Sequence, residues 1–462
     1  MRHQQQGPVV GSSVAIITLG CGRNEVDSDQ VGGTLQARGF QLVTDPSRAD
    51  CVLVNTCTFI EPAREESIDV IVDACDLGRP VLVIGCMAQR YGDELAQALP
   101  EAAGVVGFAD YPRLPEIVAR LVGADVPRPA LPLLPAPEAG HEPQHERPPT
   151  AAFPVRTSPR GPWAYLKIAG GCDRICTFCT IPSFRGRFQS RTLDELEVEA
   201  RWLVAHGVRE LVCVSENTTS WGKDLPGGRR SQADLIRMFE RVEGLARVRL
   251  LYLQPAELTD VLLDAMAESA VVAGYYDLSL QHASGPVLRR MARSGDAERF
   301  AELVAAIRRR DPDAVFRSSF ITGFPGETEA DVTLLEEFLV RARLDWAGFF
   351  TFSREEGTPS AEFPDQVDPA EARARRDRLV AVQELVAEEC AERFVGRELD
   401  VLVEEFDHQG AVGRSFREGP ETDGEVRLPG CYPPVGRMAS VRIEATDGVD
   451  LVGAPVLAPT RR

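Results

Sequence analysis

The chain has 462 residues, 44% of them hydrophobic, and a formal net charge of −19. That length predicts two to four domains rather than one small core. The acidic balance argues against a protein that grips nucleic acid by its phosphates. No apolar run approaches the roughly 20 residues of a membrane span. The start, Met1-Arg2-His3-Gln4-Gln5-Gln6, lacks an apolar signal core, so a cytoplasmic protein with no membrane contact is expected. In that setting the 11 cysteines are expected to be thiols, ligands or catalytic groups rather than disulfides.

In chain order, short apolar runs at 14–19, 50–55 and 81–85 alternate with helical stretches beginning near 26, 61 and 86. This pattern predicts a parallel sheet covered on both faces, over residues 12–124. Residues 125–160 read as a Pro-rich linker, with 11 of the 33 prolines falling between Pro127 and Pro162, because proline fixes φ and removes a backbone donor. From 161 to 393, six strands are expected at 164–168, 210–214, 247–253, 275–280, 315–321 and 347–352, each followed by a helix. Six consecutive βα units curl into an open, partial barrel. Residues 394–462 alternate short β-like runs with Gly and Pro, which predicts a small antiparallel β-barrel. The overall class is α/β.

The densest chemical motif is Cys172-Asp173-Arg174-Ile175-Cys176-Thr177-Phe178-Cys179, three thiols just past the first barrel strand, where barrel enzymes place their chemistry. Cys thiolates hold iron–sulfur clusters, and three ligands on a four-iron cluster leave one iron open. The spacing also allows a zinc site with a distant fourth ligand. Cys21, Cys57 and Cys86 are far apart in sequence, yet each follows a predicted strand of the first domain. Ligands bind beyond the carboxyl ends of strands in such sheets, so a second metal site is expected. Three buried structural cysteines are the other reading. Cys51, Cys75 and Cys213 fall in apolar runs or helices and read as packing residues. Cys390 and Cys431 have no clustered spacing, and His282 reads as a structural histidine.

The three-cysteine motif on a partial barrel resembles the radical S-adenosylmethionine superfamily. The resemblance implies a [4Fe–4S] cluster whose open iron is chelated by S-adenosyl-L-methionine, which is cleaved to a 5′-deoxyadenosyl radical. It also implies that Phe178 sits beside the adenine, and that Gly323 and Gly326, in Gly323-Phe324-Pro325-Gly326-Glu327-Thr328, lie near the adenine and ribose. Gly20-Cys21-Gly22-Arg23-Asn24, Val54-Asn55-Thr56-Cys57 and Gly85-Cys86-Met87-Ala88-Gln89-Arg90-Tyr91 look like methylthiotransferase signatures. That resemblance covers nearly the whole chain, including a C-terminal barrel of the TRAM type, and implies a second [4Fe–4S] cluster on Cys21, Cys57 and Cys86.

Within that family, the stretch Ile181-Pro182-Ser183-Phe184-Arg185-Gly186-Arg187-Phe188-Gln189-Ser190-Arg191 resembles the branch that modifies an aspartate of a small-subunit ribosomal protein. So do Leu250-Leu251-Tyr252, Leu280-Gln281-His282-Ala283 and Arg354-Glu355-Glu356-Gly357-Thr358. The expected reaction places a methylthio group on the β-carbon of that aspartate, in the twelfth protein of the subunit. Residues 394–462 carry 12 Asp and Glu against eight Arg, which disfavours transfer RNA as partner and suits a basic ribosomal protein. Val214-Ser215-Glu216-Asn217-Thr218-Thr219 departs from the Gln-Asp-Thr-Thr type common in the branch. Two rivals remain at this point: a transfer-RNA adenosine methylthiotransferase, and a noncatalytic iron–sulfur factor that binds the ribosome.

Overall fold

The computed structural model describes residues 11–123, 156–226 and 231–456; most of the linker expected over 125–160 lies outside them. Two compact units emerge. The first takes residues up to 158 together with 171–173 and 180–187, and the second takes the rest.

The first unit is built on a five-stranded sheet: β1 (Ser13–Thr18), β2 (Gln41–Leu42), β3 (Cys51–Thr56), β4 (Val81–Gly85) and β5 (Gly104–Val105). The spatial order is β2-β1-β3-β4-β5, and all pairs are parallel. The three central strands are those expected. The two edge strands are two residues long, too short to leave an apolar run.

Alternate residues of the central strands feed two cores, as the period-two pleat requires. Val14, Leu53, Leu82 and Ile84 pack with α1 (Gly22–Ala37) and α4 (Leu114–Val122). Val52, Val54, Val81 and Val83 pack with α2 (Glu61–Asp76) and α3 (Cys86–Ala98). Helix α1 starts four residues before the expected position, because Cys21 stands at its N-cap and the polar first turn Arg23-Asn24-Glu25 hides the start.

In the second unit the six expected strands all form: β6 (Trp163–Lys167), β9 (Glu210–Val214), β10 (Arg247–Leu250), β11 (Tyr275–Gln281), β12 (Val315–Thr322) and β13 (Trp346–Thr351). Between the first two lies a short antiparallel ribbon of β7 (Ala169–Gly170) and β8 (Gln189–Ser190). The six strands pair in parallel as two three-stranded sheets, β10-β9-β6 and β11-β12-β13. Along the seam between them, two isolated parallel bridges, Val248↔Val272 and Leu253↔Leu278, tie the β10 segment to the β11 segment. The arc therefore runs in chain order with β6 and β13 at its free ends, an open partial barrel.

Helices α6 (Leu193–Ala205), α7 (Gln232–Glu240), α8 (Asp260–Glu268), α10 (Ala297–Arg310), α11 (Glu329–Ala342) and α12 (Pro369–Glu392) follow successive strands, with the short α9 (Gly285–Arg290) between β11 and α10. Reciprocal capping boxes, Thr192 with Glu195 and Thr328 with Asp331, fix the starts of α6 and α11.

The chain ends in a closed five-stranded barrel of β14 (Glu398–Phe406), β15 (Gly410–Arg414), β16 (Val426–Pro429), β17 (Met438–Asp447) and β18 (Asp450–Pro455), in the order β14-β15-β16-β18-β17. An antiparallel barrel was expected, but the β16–β18 pair is parallel. The reason is topological: strand directions cannot alternate all the way round a ring of five.

This barrel packs on the amino-terminal ends of the large arc. Glu210, fully buried, binds Arg249 at 2.7 Å and Arg247 and Arg414 at 3.0 Å each. The Arg247 and Arg249 guanidiniums also donate to the carbonyls of Ser415 and Phe416. Trp346 donates to the Arg417 carbonyl at 2.9 Å, and Tyr275 to Asp423 at 2.6 Å.

Candidate metal centres

The first unit brings its three separated cysteines to one edge. Cys21 follows β1, while Cys57 and Cys86 directly follow β3 and β4, and these are the three neighbouring central strands of the sheet. Side chains from the surrounding motifs staple the strand ends. Asn24 donates to the carbonyls of Leu19 (2.7 Å) and Thr56 (3.1 Å). Asn55 donates to the Asn24 carbonyl and to Ser28 Oγ, each at 2.9 Å. Thr56 Oγ1 donates to the Ile84 carbonyl at 2.6 Å.

Two glycines let the backbone close in. A Cβ on Gly20 would lie 2.8 Å from Cys57 Cβ, and one on Gly85 would lie 2.3 Å from Asn55 Oδ1. Cys21 caps α1 and Cys86 opens α3, so two helix amino-termini face the thiols and favour their anionic form.

Two guanidiniums add positive charge. Arg23 Nε donates to Cys21 Sγ at 3.4 Å, and Arg185 Nη2 to Cys86 Sγ at 3.1 Å. Burial raises the Cys21 thiol, but Arg23 and Arg185 together bring it below the ordinary value. Burial pushes Cys86 up to about 11 against the pull of Arg185, and burial also raises Cys57. Among the described residues no three His, Cys, Asp or Glu groups stand at the spacing that grips one metal ion. A four-iron cluster takes each cysteine on a different iron, so its ligands stand farther apart. Convergent thiols, glycine clearance and compensating cations fit such a cluster.

The second trio lies on the stretch between β7 and α5 (Ile181–Arg185). Cys172 groups by its contacts with the first unit, and Cys176 and Cys179 with the second. Gly171, at φ +77°, precedes Cys172; a Cβ there would lie 2.1 Å from the Arg187 carbonyl oxygen, and the Cys172 amide donates to Gly186 at 3.1 Å. In the second unit, the Thr177 amide donates to the Met291 carbonyl (3.2 Å) and Thr177 Oγ1 to the Arg290 carbonyl (2.8 Å). The Thr177 carbonyl accepts from Ser360 N and Oγ at 3.0 and 2.9 Å. Arg293 Nη1 lies 3.8 Å from Cys176 Sγ.

Arg174 is held by Glu257, which also accepts from Lys223, Ser220 (2.6 Å) and Asn217 (3.0 Å). Burial opposes the Glu257 charge, yet these donors hold its pKa down to about 2.

Phe178 is partly buried against the core of the large arc. Gly323 and Gly326 both have positive φ, +71° and +75°. A Cβ on Gly323 would lie 2.3 Å from Ala372 Cβ, and one on Gly326 would lie 2.7 Å from the Arg290 guanidinium. Their amides donate to Glu327 (2.9 Å) and to the Asp365 carbonyl (2.8 Å). Both glycines thus have a packing reason beside the cofactor role expected of them.

His282 is fully buried and its Nδ1 accepts from the amides of Ala283 and Ser284, both at 2.9 Å. Cys51 and Cys213 are buried in core clusters. Asn217, part of the departing Glu216-Asn217 pair, serves the Glu257 group. Sequence reasoning missed Asn24, Asp27 and Arg185 as site residues, although Asn24 and Arg185 lie inside motifs that it had singled out.

Comparison with known proteins places these features in a family. The profile described as Uncharacterized protein family UPF0004 matches residues 13–107, the Radical SAM superfamily 166–339, and the TRAM domain 395–456. In a structure of the radical S-adenosylmethionine methyltransferase TsrM from Kitasatospora setae, a likeness of fold extends over 76% of this chain and 74% of that one, with 17% identity and a TM-score of 0.54. Curated ribosomal protein uS12 methylthiotransferases from Cutibacterium acnes and Streptomyces avermitilis are each 45% identical over 96% of this chain, covering 98% and 97% of their own lengths. At that identity and coverage, this chain belongs to the family of ribosomal protein uS12 methylthiotransferases.

Proposed function

We propose that this chain replaces a hydrogen on the β-carbon of an aspartate in ribosomal protein uS12 with a methylthio group. The observation that carries this reading is the presence of two cysteine trios on one chain. One stands at the ends of three neighbouring strands of the first unit, and the other lies within eight residues after β7. Cys172, Cys176 and Cys179 would hold one [4Fe–4S] cluster, with S-adenosyl-L-methionine as its co-reactant, and Cys21, Cys57 and Cys86 would hold the second. When bound, these groups supply a carbon radical able to break an unactivated C–H bond and the sulfur that takes the hydrogen's place.

The chain's own residues position and shield. Asn24, Asn55 and Thr56 lock the strand ends on which the first trio sits. Thr177 and Ser360 anchor the second stretch to the large arc. The acidic surplus of residues 394–462 suits a basic protein substrate.

The test is mass analysis of uS12 and of transfer-RNA adenosine from cells with and without the gene. The expected result is uS12 lighter by one methylthio-for-hydrogen replacement when the gene is absent, with the transfer RNA unchanged. Unmodified uS12 in both strains, with transfer-RNA adenosine losing a methylthio group, would assign the chain to the other branch.

A further inference from the structure

We propose that Arg185 is a positioning residue that holds the Cys86 sulfur and sets the potential at which the first-unit cluster accepts an electron. The proposal rests on the reading of Cys21, Cys57 and Cys86 as cluster ligands. Its ground is how completely Arg185 is fixed. The side chain is only 6% exposed. Nη1 and Nη2 each lie 3.2 Å from Asp27 Oδ2. Nη2 also donates to Asn24 Oδ1 at 2.8 Å and to Cys86 Sγ at 3.1 Å. The guanidinium carbon lies 5.0 Å from the centre of the Phe108 ring.

A planar fork can meet a carboxylate, an amide oxygen and a sulfur at once; the single ammonium of lysine cannot keep the same set. Asn24, which orients the fork, is also the residue that ties β1 to β3. The guanidinium position is therefore slaved to the geometry of the strand ends that carry the cysteines.

Arginine stays protonated in proteins. A permanent cation hydrogen-bonded to a ligand sulfur favours the more negative, reduced state of a cluster, and hydrogen bonds to the sulfurs are among the features that set cluster potentials. Arg23, at 3.4 Å from Cys21, acts on another sulfur. Arg185 lies six residues after Cys179 in the sequence, which gives the Phe184-Arg185-Gly186 part of the motif a role that the second trio does not explain.

The test uses the full chain carrying Cys172→Ala, Cys176→Ala and Cys179→Ala, so that the first-unit cluster is the one observed. Iron and sulfide are measured anaerobically, and the midpoint potential by a redox titration followed by electron paramagnetic resonance. Against this parent, Arg185→Met and Arg185→Gln are expected to keep the iron content. They should lower the reduced-to-oxidised ratio at a fixed poise at least tenfold, a negative shift of about 59 mV for a one-electron couple. Arg185→Lys, which restores the charge, should recover part of that shift.

An unchanged potential in loaded Arg185→Met and Arg185→Gln overturns the proposal and leaves the ligand reading intact. Loss of iron from both variants, with the fold retained by circular dichroism, also overturns it and makes Arg185 a residue that assembles the centre rather than one that sets its potential. A parent that binds no iron sinks the ligand reading itself.

Discussion

Gly85→Ala should dismantle the first trio without touching a cysteine. Gly85 has φ 93° and ψ −160°, a region that only glycine occupies freely, and a side chain there costs on the order of 1–3 kcal/mol. The added Cβ would also stand 2.3 Å from Asn55 Oδ1 and 2.6 Å from both the N and O of Thr56. Thr56 is the register partner of Gly85 across β3 and β4, so relief requires the strand ends to part. Overpacking of this kind costs about 1–3 kcal/mol more. The sum, roughly 2–6 kcal/mol, is a large part of a typical domain stability of about 5–15 kcal/mol. Parting the strands moves Cys57 away from Cys86, so iron binding should fall along with stability.

The assay is iron content of the parent lacking the second trio, plus a thermal melt. A fall of at least roughly 8 °C is expected, at about 4 °C per kcal/mol. Gly78→Ala is the control: its φ is +66°, but nothing lies within 4 Å of the added Cβ, so it should keep its iron. A Gly85→Ala protein with full iron and a melt no lower than the control would refute the reasoning.

Two further outcomes follow from buried charges. Glu210→Gln leaves Arg247 and Arg249 short of their shared carboxylate and should destabilise the second unit by about 3–5 kcal/mol, read by chemical denaturation; a change below about 1 kcal/mol would mean that the carbonyls of Ser415 and Phe416 suffice. Glu257 has its folded pKa depressed to about 2, burial opposing and Lys223, Ser220, Asn217 and Arg174 prevailing. Its contribution is therefore present above the unfolded value of about 4.3 and is lost as pH falls toward about 2. Wild type should lose stability over that window, whereas Glu257→Gln should be weaker at neutral pH and lose less on acidification; parallel pH profiles would exclude the role.

How much of this was legible depended on whether the signal was local. Strands β3 and β4 show as apolar runs because both faces of the sheet are covered, and the cysteines that follow them could be read from position alone. Strands β2 and β5, two residues each, leave no pattern. The parallel β16–β18 pairing is a property of a closed ring of five, invisible to any one segment.

Arg185 reads from sequence as part of a motif near the second trio, while its sulfur partner Cys86 is 99 residues away. No local periodicity reports such a contact. The Glu257 group was hidden for the same reason: Arg174 reaches it from one segment, and Asn217, Ser220 and Lys223 from another more than 40 residues on. Gly323 and Gly326 illustrate the opposite hazard, since a glycine-rich loop that resembles a ligand cradle also satisfies the close approach of α12 and Arg290.

The different origins of the two trios set different birth dates for the two centres. Cys172, Cys176 and Cys179 are neighbours along eight residues, so a short nascent peptide already contains the whole donor set. Cys21, Cys57 and Cys86 become neighbours only once β1, β3 and β4 have paired, and the shortest chain that can do so must have emerged past Gly85 and folded. The first centre to be synthesised is thus the one that depends on prior folding, while the later one is written into a contiguous stretch. On the proposed ligand assignment, iron delivery during biogenesis meets one locally encoded acceptor and one that exists only as a product of tertiary structure.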